Sequence, residues 1–124
     1  MDIGIDLSQI SEFKHIIKSA KYKQFLYTER ELLQVNDYSL EKKIESLVGK
    51  FCAKEAVVKA LGTGFLSNDL IKWKDIEILK RENGNPFVLL YNNAQILFNS
   101  KGYTDIKVTI THKKDYAISF ALLY

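Results

Sequence analysis

A chain of 124 residues that is 47% hydrophobic suits one compact domain, here residues 1–124, and excludes a disordered polymer. No apolar run approaches the roughly 20 residues of a membrane span, and Met1 to Asp6 carries neither a basic nor an apolar leader region, so no membrane segment or secretory signal is expected. The net charge of +3 is too small to indicate a nucleic-acid partner, and one cysteine with two histidines gives no internal disulfide and no zinc spacing, in keeping with a reducing cytoplasm.

Asp2 to Leu7 reads as a short strand whose alternation sets Asp6 on the face opposite Ile3, Ile5 and Leu7. Ser8 or Ser11 can cap a helix through about residue 24, with Ile10, Phe13, Ile16 and Ile17 on its apolar side. Lys14, Lys18 and Lys21 fall at helical spacing on the same segment and make a basic face, either solvated or a docking surface for an acidic partner. Thr28 and Glu31 form a capping box for a short helix to about Val35. Ser39 opens a long helix that Gly62 closes as a left-handed cap.

Phe65 to Ile71 is a loop, and Trp73 to Leu79 alternates as a strand. Glu82-Asn83-Gly84-Asn85 is a hairpin turn, and Pro86 to Leu90 returns as its partner strand. Asn92 to Ser100 reads as a helix ended by Gly102. Ile106 to Thr111 and Tyr116 to Leu123 are strands around a turn at Lys113-Lys114-Asp115. Helices early and strands late predict an α+β fold, with the long helix packed on a mainly antiparallel sheet.

The long helix carries a charge where its core stripe should continue. Ile44, Leu47, Val48, Phe51 and Cys52 recur at helical spacing, and the next two turns bring Glu55 and Lys59. A carboxylate on such a stripe needs a partner. Two readings fit: an i,i+4 pair between Glu55 and Lys59 on a half-exposed edge, or a metal-ligating carboxylate beside a phosphate-binding lysine. Cys52 on the same stripe is a small core residue rather than a nucleophile. Asp6 admits two roles as well, a helix-capping acid or a magnesium ligand.

Lys50 to Gly64, KFCAKEAVVKALGTG, resembles the defining helix of the 4′-phosphopantetheinyl transferases of the holo-acyl-carrier-protein synthase type. Gly4-Ile5-Asp6-Leu7, Trp73 to Ile78 with Gly84-Asn85-Pro86, and Thr109-Ile110-Thr111-His112 with Asp115-Tyr116-Ala117 match the same family in the same order. The resemblance implies the fold of that family. It implies transfer of 4′-phosphopantetheine from coenzyme A to an apo acyl carrier protein, in fatty acid and lipid biosynthesis. Asp6 and Glu55 would hold Mg2+, and Lys59 would contact the coenzyme A phosphates. Lys50, Gly62, Gly64, Pro86 and His112 would frame coenzyme A, with Lys113 or Lys114 near the 3′-phosphate.

Carrier proteins of this kind are acidic, which turns Lys14, Lys18 and Lys21 toward docking. The chain's length and its lack of an internal repeat place it in the short class, which implies a homotrimer with one cleft at each interface. Two positions depart from the family pattern. Lys50 stands where arginine is common, which keeps the charge and loses bidentate geometry. Glu12 stands where a basic docking residue is expected. The rival readings are a non-catalytic binding module for an acidic protein or a nucleotide, and a small nucleic-acid-binding domain.

Overall fold

The computed structural model describes all 124 residues. The chain runs β1 (Asp2–Gln9), α1 (Ile10–Lys18), α2 (Ala20–Leu26), α3 (Glu29–Gln34), α4 (Leu40–Ala60), β2 (Ile76–Lys80), β3 (Pro86–Leu90), α5 (Asn92–Ser100), β4 (Ile106–Lys113) and β5 (Tyr116–Leu123). The strands form two antiparallel sheets, one in the order β1-β5-β4 and one of β2 with β3. The α+β expectation holds.

Helix α4 is the axis of the molecule. Of its 21 residues, 13 are buried, more than a one-sided amphipathic helix would hide. One apolar cluster gathers Val57, Leu61, Ile76, Ile78, Phe98 and Leu123 around its C-terminal half. Another gathers Ile10, Ile17, Leu26, Tyr27, Leu47 and Cys52 around its N-terminal half. Ser39 caps the helix by accepting from the Lys42 amide at 3.3 Å, and Gly62, at φ +81°, ends it.

Burying α4 on several sides also buries charge. Lys54 and Glu31 pair at 2.8 Å with neither side chain exposed. Lys54 Nζ also donates to the carbonyls of Leu26 and Trp73, at 2.7 and 3.0 Å. Glu31 accepts from the amides of Thr28 and Ile78, both at 2.8 Å. A buried pair holds only when its remaining donors and acceptors are satisfied, and here they tie α2, α3 and β2 to α4.

Three local expectations change. The first helix breaks at Ser19, whose backbone is extended and whose hydroxyl accepts from the Tyr22 amide to start α2. Serine serves better as a cap than inside a helix. Trp73 to Asp75 forms a 3-10 turn rather than the start of the strand. Strand β1 runs on to Gln9, and β4 to Lys113, so the last turn narrows to Lys114-Asp115.

Strand β1 keeps its alternation, but Ile3, Ile5 and Leu7 point away from the helix, 60 to 63% exposed. Gly4 and Ser8 are the buried positions, because β1 lies almost on the α4 backbone. A Cβ at Gly4 would stand 2.0 Å from the Ala56 carbonyl oxygen, so only glycine fits there. The outward side chains pair in register with Leu122, Phe120 and Ile118 of β5. That leaves one apolar sheet face on the surface of the chain.

Candidate active site

The close approach of β1 to α4 sets Asp6 beside two residues of the helix. Lys59 Nζ meets Asp6 Oδ1 at 2.9 Å and donates to the Ile5 carbonyl at 3.1 Å. Glu55, one turn before Lys59, lines the same cleft, and so do Ser8, Glu12, Phe13 and Phe51, around a volume of about 280 Å³. The i,i+4 pair between Glu55 and Lys59 does not form. Lys59 reaches across to the strand, and Glu55 carries no ion pair of its own.

The electrostatics follow from that geometry. Burial, and then the Asp6 carboxylate, push the Glu55 carboxyl up, with Lys59 opposing. The hydrogen bond to Asp6 holds the Lys59 ammonium above its usual value. Two carboxylates that repel across a cleft form a donor set for a cation. No group of three or more His, Cys, Asp or Glu side chains converges in the chain. A cation held by Asp6 and Glu55 would have to draw its remaining ligands from water and from a bound substrate's oxygens, the habit of Mg2+. Cys52 takes no part. It is buried, its thiol is pushed up to about 11 by desolvation, and it donates to the Asp6 carbonyl.

A second cleft, of about 150 Å³, gathers Ser46, Gly49, Lys50, Ile78, Lys80, Gly84, Pro86, Ile110 and His112. Pro86 and His112 come together there from two different sheets. His112 Nε2 bonds the Glu45 carbonyl at 3.0 Å, which makes that nitrogen the protonated one. Glycine at position 49 lets the ring lie this close to α4; a Cβ there would stand 2.8 Å from Nε2 and push the imidazole away.

Lys50 lines this cleft but is only 1% exposed, so its charge is buried. Its ammonium donates to the Ile78 carbonyl at 2.7 Å, and burial lowers its pKa to about 8. Gly62 and Gly64 line neither cleft. Gly62 acts as the helix cap, and open space surrounds Gly64.

The two clefts lie on different sides of α4. At about 100° per residue, Ser46, Gly49 and Lys50 point roughly opposite to Phe51, Glu55 and Lys59. Lys14 and Lys18 line a third groove, of about 370 Å³, with Glu41, Glu45, Lys114 and Asp115. Lys21 sits beyond the Ser19 break on α2, so the basic face is not one continuous helical stripe.

Sequence reasoning missed Glu12 and Ser46 as cleft residues, and it read Phe51 only as core. Phe51 in fact packs tilted against Phe13 and stacked on Trp73, at centroid distances of 4.5 and 4.7 Å, and Trp73 stacks on Phe65 at 3.7 Å. Phe13 and Phe51 wall one side of the acidic cleft, and Trp73 and Phe65 continue the aromatic row beyond it. The helical period could have flagged Phe51, which lies one turn before Glu55 on the same face.

A family model described as the 4′-phosphopantetheinyl transferase superfamily matches residues 2–121. A holo-[acyl-carrier-protein] synthase of Alkaliphilus metalliredigens is 42% identical over 97% of this chain and 95% of its own. One from Clostridium tetani is 36% identical over 99% of this chain and 94% of its own. Among solved structures, the Plasmodium yoelii holo-ACP-synthase superposes with a TM-score of 0.83 at 27% identity, over 98% of this chain and 92% of that one. The Helicobacter pylori holo-[acyl-carrier-protein] synthase in complex with coenzyme A gives 0.82 at 25% identity, over 98% of this chain and 99% of that one.

Proposed function

The chain belongs to the 4′-phosphopantetheinyl transferase superfamily, and we propose from that premise how its two clefts divide one reaction. It is a holo-[acyl-carrier-protein] synthase, transferring 4′-phosphopantetheine from coenzyme A to a serine of an apo acyl carrier protein. The carrying observation for the site is that Asp6, Glu55 and Lys59 converge, although Lys59 and Asp6 are 53 residues apart.

The serine hydroxyl attacks the β-phosphorus of coenzyme A. A new phosphorus–oxygen ester bond forms, the pyrophosphate bond breaks, and adenosine 3′,5′-bisphosphate leaves. The serine proton is taken up on the carboxylate side of the cleft. Asp6 and Glu55 are the residues that would hold Mg2+, which when bound neutralises charge on the phosphate oxygens. Lys59 places a cation beside the breaking bond, where catalysis of phosphoryl transfer is mostly positioning and charge stabilisation. No covalent protein nucleophile is needed.

The second cleft is the place for the nucleotide end of coenzyme A, between Pro86, His112 and Lys50. One donor molecule cannot easily reach both sides of a buried helix in one chain. The outward apolar residues Ile3, Ile5, Leu7, Ile118 and Phe120 form a surface suited to a second copy. Both features support a homotrimer in a head-to-tail ring, in which the acidic cleft of one subunit meets the nucleotide cleft of the next. Lys14 and Lys18, with Lys21 nearby, face an acidic carrier, where such charges act mainly on encounter. No helix is long and apolar enough to cross a membrane, and a free buried thiol at Cys52 suits a reducing, cytoplasmic setting.

Incubation of the purified chain with coenzyme A, Mg2+ and an apo carrier tests the reading. The carrier should gain the mass of one phosphopantetheine group as adenosine 3′,5′-bisphosphate appears. A folded chain that binds coenzyme A and leaves the carrier unmodified would instead support a binding module.

A further inference from the structure

Ser46 is the one residue of α4 with an unexplained polar atom. It is 7% exposed, and its hydroxyl is the buried side-chain group left without a hydrogen-bond partner. A serine inside a helix commonly bonds the carbonyl one turn back; Ser46 does not. An unpaired buried hydroxyl is costly, and few native groups are left so without reason.

Ser46 lines the second cleft, whose character narrows what that reason is. Ile78, Ile110 and Pro86 give it apolar walls, Gly49 and Gly84 keep side chains out of it, and Lys50, Lys80 and His112 supply its polar edge. Its volume of about 150 Å³ is half or less of the roughly 300 Å³ that encloses a whole drug-sized ligand, so it takes one end of a molecule. Apolar walls with a polar edge suit a flat heterocycle. His112 Nε2 is committed to the Glu45 carbonyl, and Lys50 Nζ to the Ile78 carbonyl. The Lys80 ammonium is also without a hydrogen-bond partner, but as a pure donor it suits a phosphate or carbonyl oxygen. The Ser46 hydroxyl is the buried uncommitted group, and it can donate to a ring nitrogen or accept from an exocyclic amine.

We propose that Ser46 is a specificity contact that hydrogen-bonds the adenine edge of the donor nucleotide. The proposal rests on the reading of this cleft as the nucleotide end of the site. The hydroxyl has no partner within the protein and gains one on binding. Removing it should therefore weaken the complex without harming the free chain.

The test is Ser46→Ala, titrated with adenosine 3′,5′-bisphosphate and assayed with coenzyme A. The dissociation constant and the KM for coenzyme A should rise about fivefold, the size of one neutral hydrogen bond, with kcat unchanged. The ligand-free melting temperature should hold or rise, because alanine leaves no orphan group and favours the helix. Ribose 3,5-bisphosphate, which lacks the base, should bind wild type and variant equally.

Ser46→Cys, which keeps the volume and weakens the hydrogen bond, should reproduce the loss for the adenine ligand. Equal affinity of wild type and Ser46→Ala for adenosine 3′,5′-bisphosphate overturns the assignment, as does an equal loss for the baseless probe. Wild-type protein that fails to bind adenosine 3′,5′-bisphosphate overturns the nucleotide reading itself, and the Ser46 assignment with it.

Discussion

Lys59 pairs with Asp6, at 2.9 Å across 53 residues of chain, and not with Glu55 one turn away on its own helix. The lysine thus neutralises one of two facing carboxylates and leaves the other free. Replacing it with methionine should lower kcat/KM for coenzyme A by about 10² to 10³-fold, the usual range for a lost transition-state donor. The side chain is half exposed, so the circular dichroism spectrum should not change. Lys59→Arg should keep part of the activity. Activity of the methionine variant within threefold of wild type would remove Lys59 from the reaction.

Asp6→Ala and Glu55→Ala should each cut carrier modification by about 10³-fold or more, since losing a metal ligand removes several kcal/mol of transition-state stabilisation. Both variants should stay folded. Calorimetric titration of Mg2+ into the adenosine 3′,5′-bisphosphate complex should show binding to wild type and not to either variant. Near-normal turnover by a folded variant would dismiss the metal assignment.

Gly4→Val should destabilise the chain by about 3 kcal/mol, at the upper end for overpacking. Its Cβ would meet the Ala56 carbonyl oxygen at 2.0 Å and the Ala60 amide nitrogen at 2.7 Å, backbone atoms that cannot turn aside. Activity should fall further than stability alone explains, because Asp6 is carried on the same strand. Urea unfolding with a parallel assay at low temperature separates the two effects. A variant as stable as wild type would show that β1 can lift from α4 without loss.

Lys50 gives the site a pH dependence. Burial lowers its pKa to about 8, so the cation at the nucleotide cleft is lost as pH rises through that value. The profile of kcat/KM for coenzyme A, which reports the free enzyme, should decline above pH 8, and in Lys50→Gln it should be lower and lack that decline. Stability should move the other way. Between pH 8 and the ordinary lysine value of 10.5, the unfolded chain binds a proton that the folded chain has released. Stability contributed by this group therefore rises with pH through that window. The difference in urea midpoint between wild type and Lys50→Gln, followed across the window, measures it; a constant difference would contradict it.

Assembly should be visible in a mixing experiment. Glu55→Ala and His112→Ala chains, each inactive alone, should regain partial activity when mixed, because some interfaces then carry one intact acidic cleft and one intact nucleotide cleft. Phe120→Lys, on the outward apolar face, should yield an inactive monomer. A fully active monomer by light scattering at assay concentration would defeat both expectations.

What the sequence determined by itself was local or carried by motif. Thr28 and Glu31 form their capping box, Gly62 its left-handed cap, and Asn83-Gly84 its hairpin, because each depends on residues within one turn. The motif residues named the family and the acids of the cleft. The Ser19 break was local too, yet the apolar period across it hid the cap. Only the tertiary structure decided which face of β1 meets the helix, since alternation defines two faces and favours neither. The missing side chain at Gly4 settled it by letting β1 touch α4. The same approach chose Asp6 as the partner of Lys59, and the close packing of α4 buried Lys50. These are contacts between residues distant in the chain, and side-chain spacing along one element carries no information about what will lie across from it.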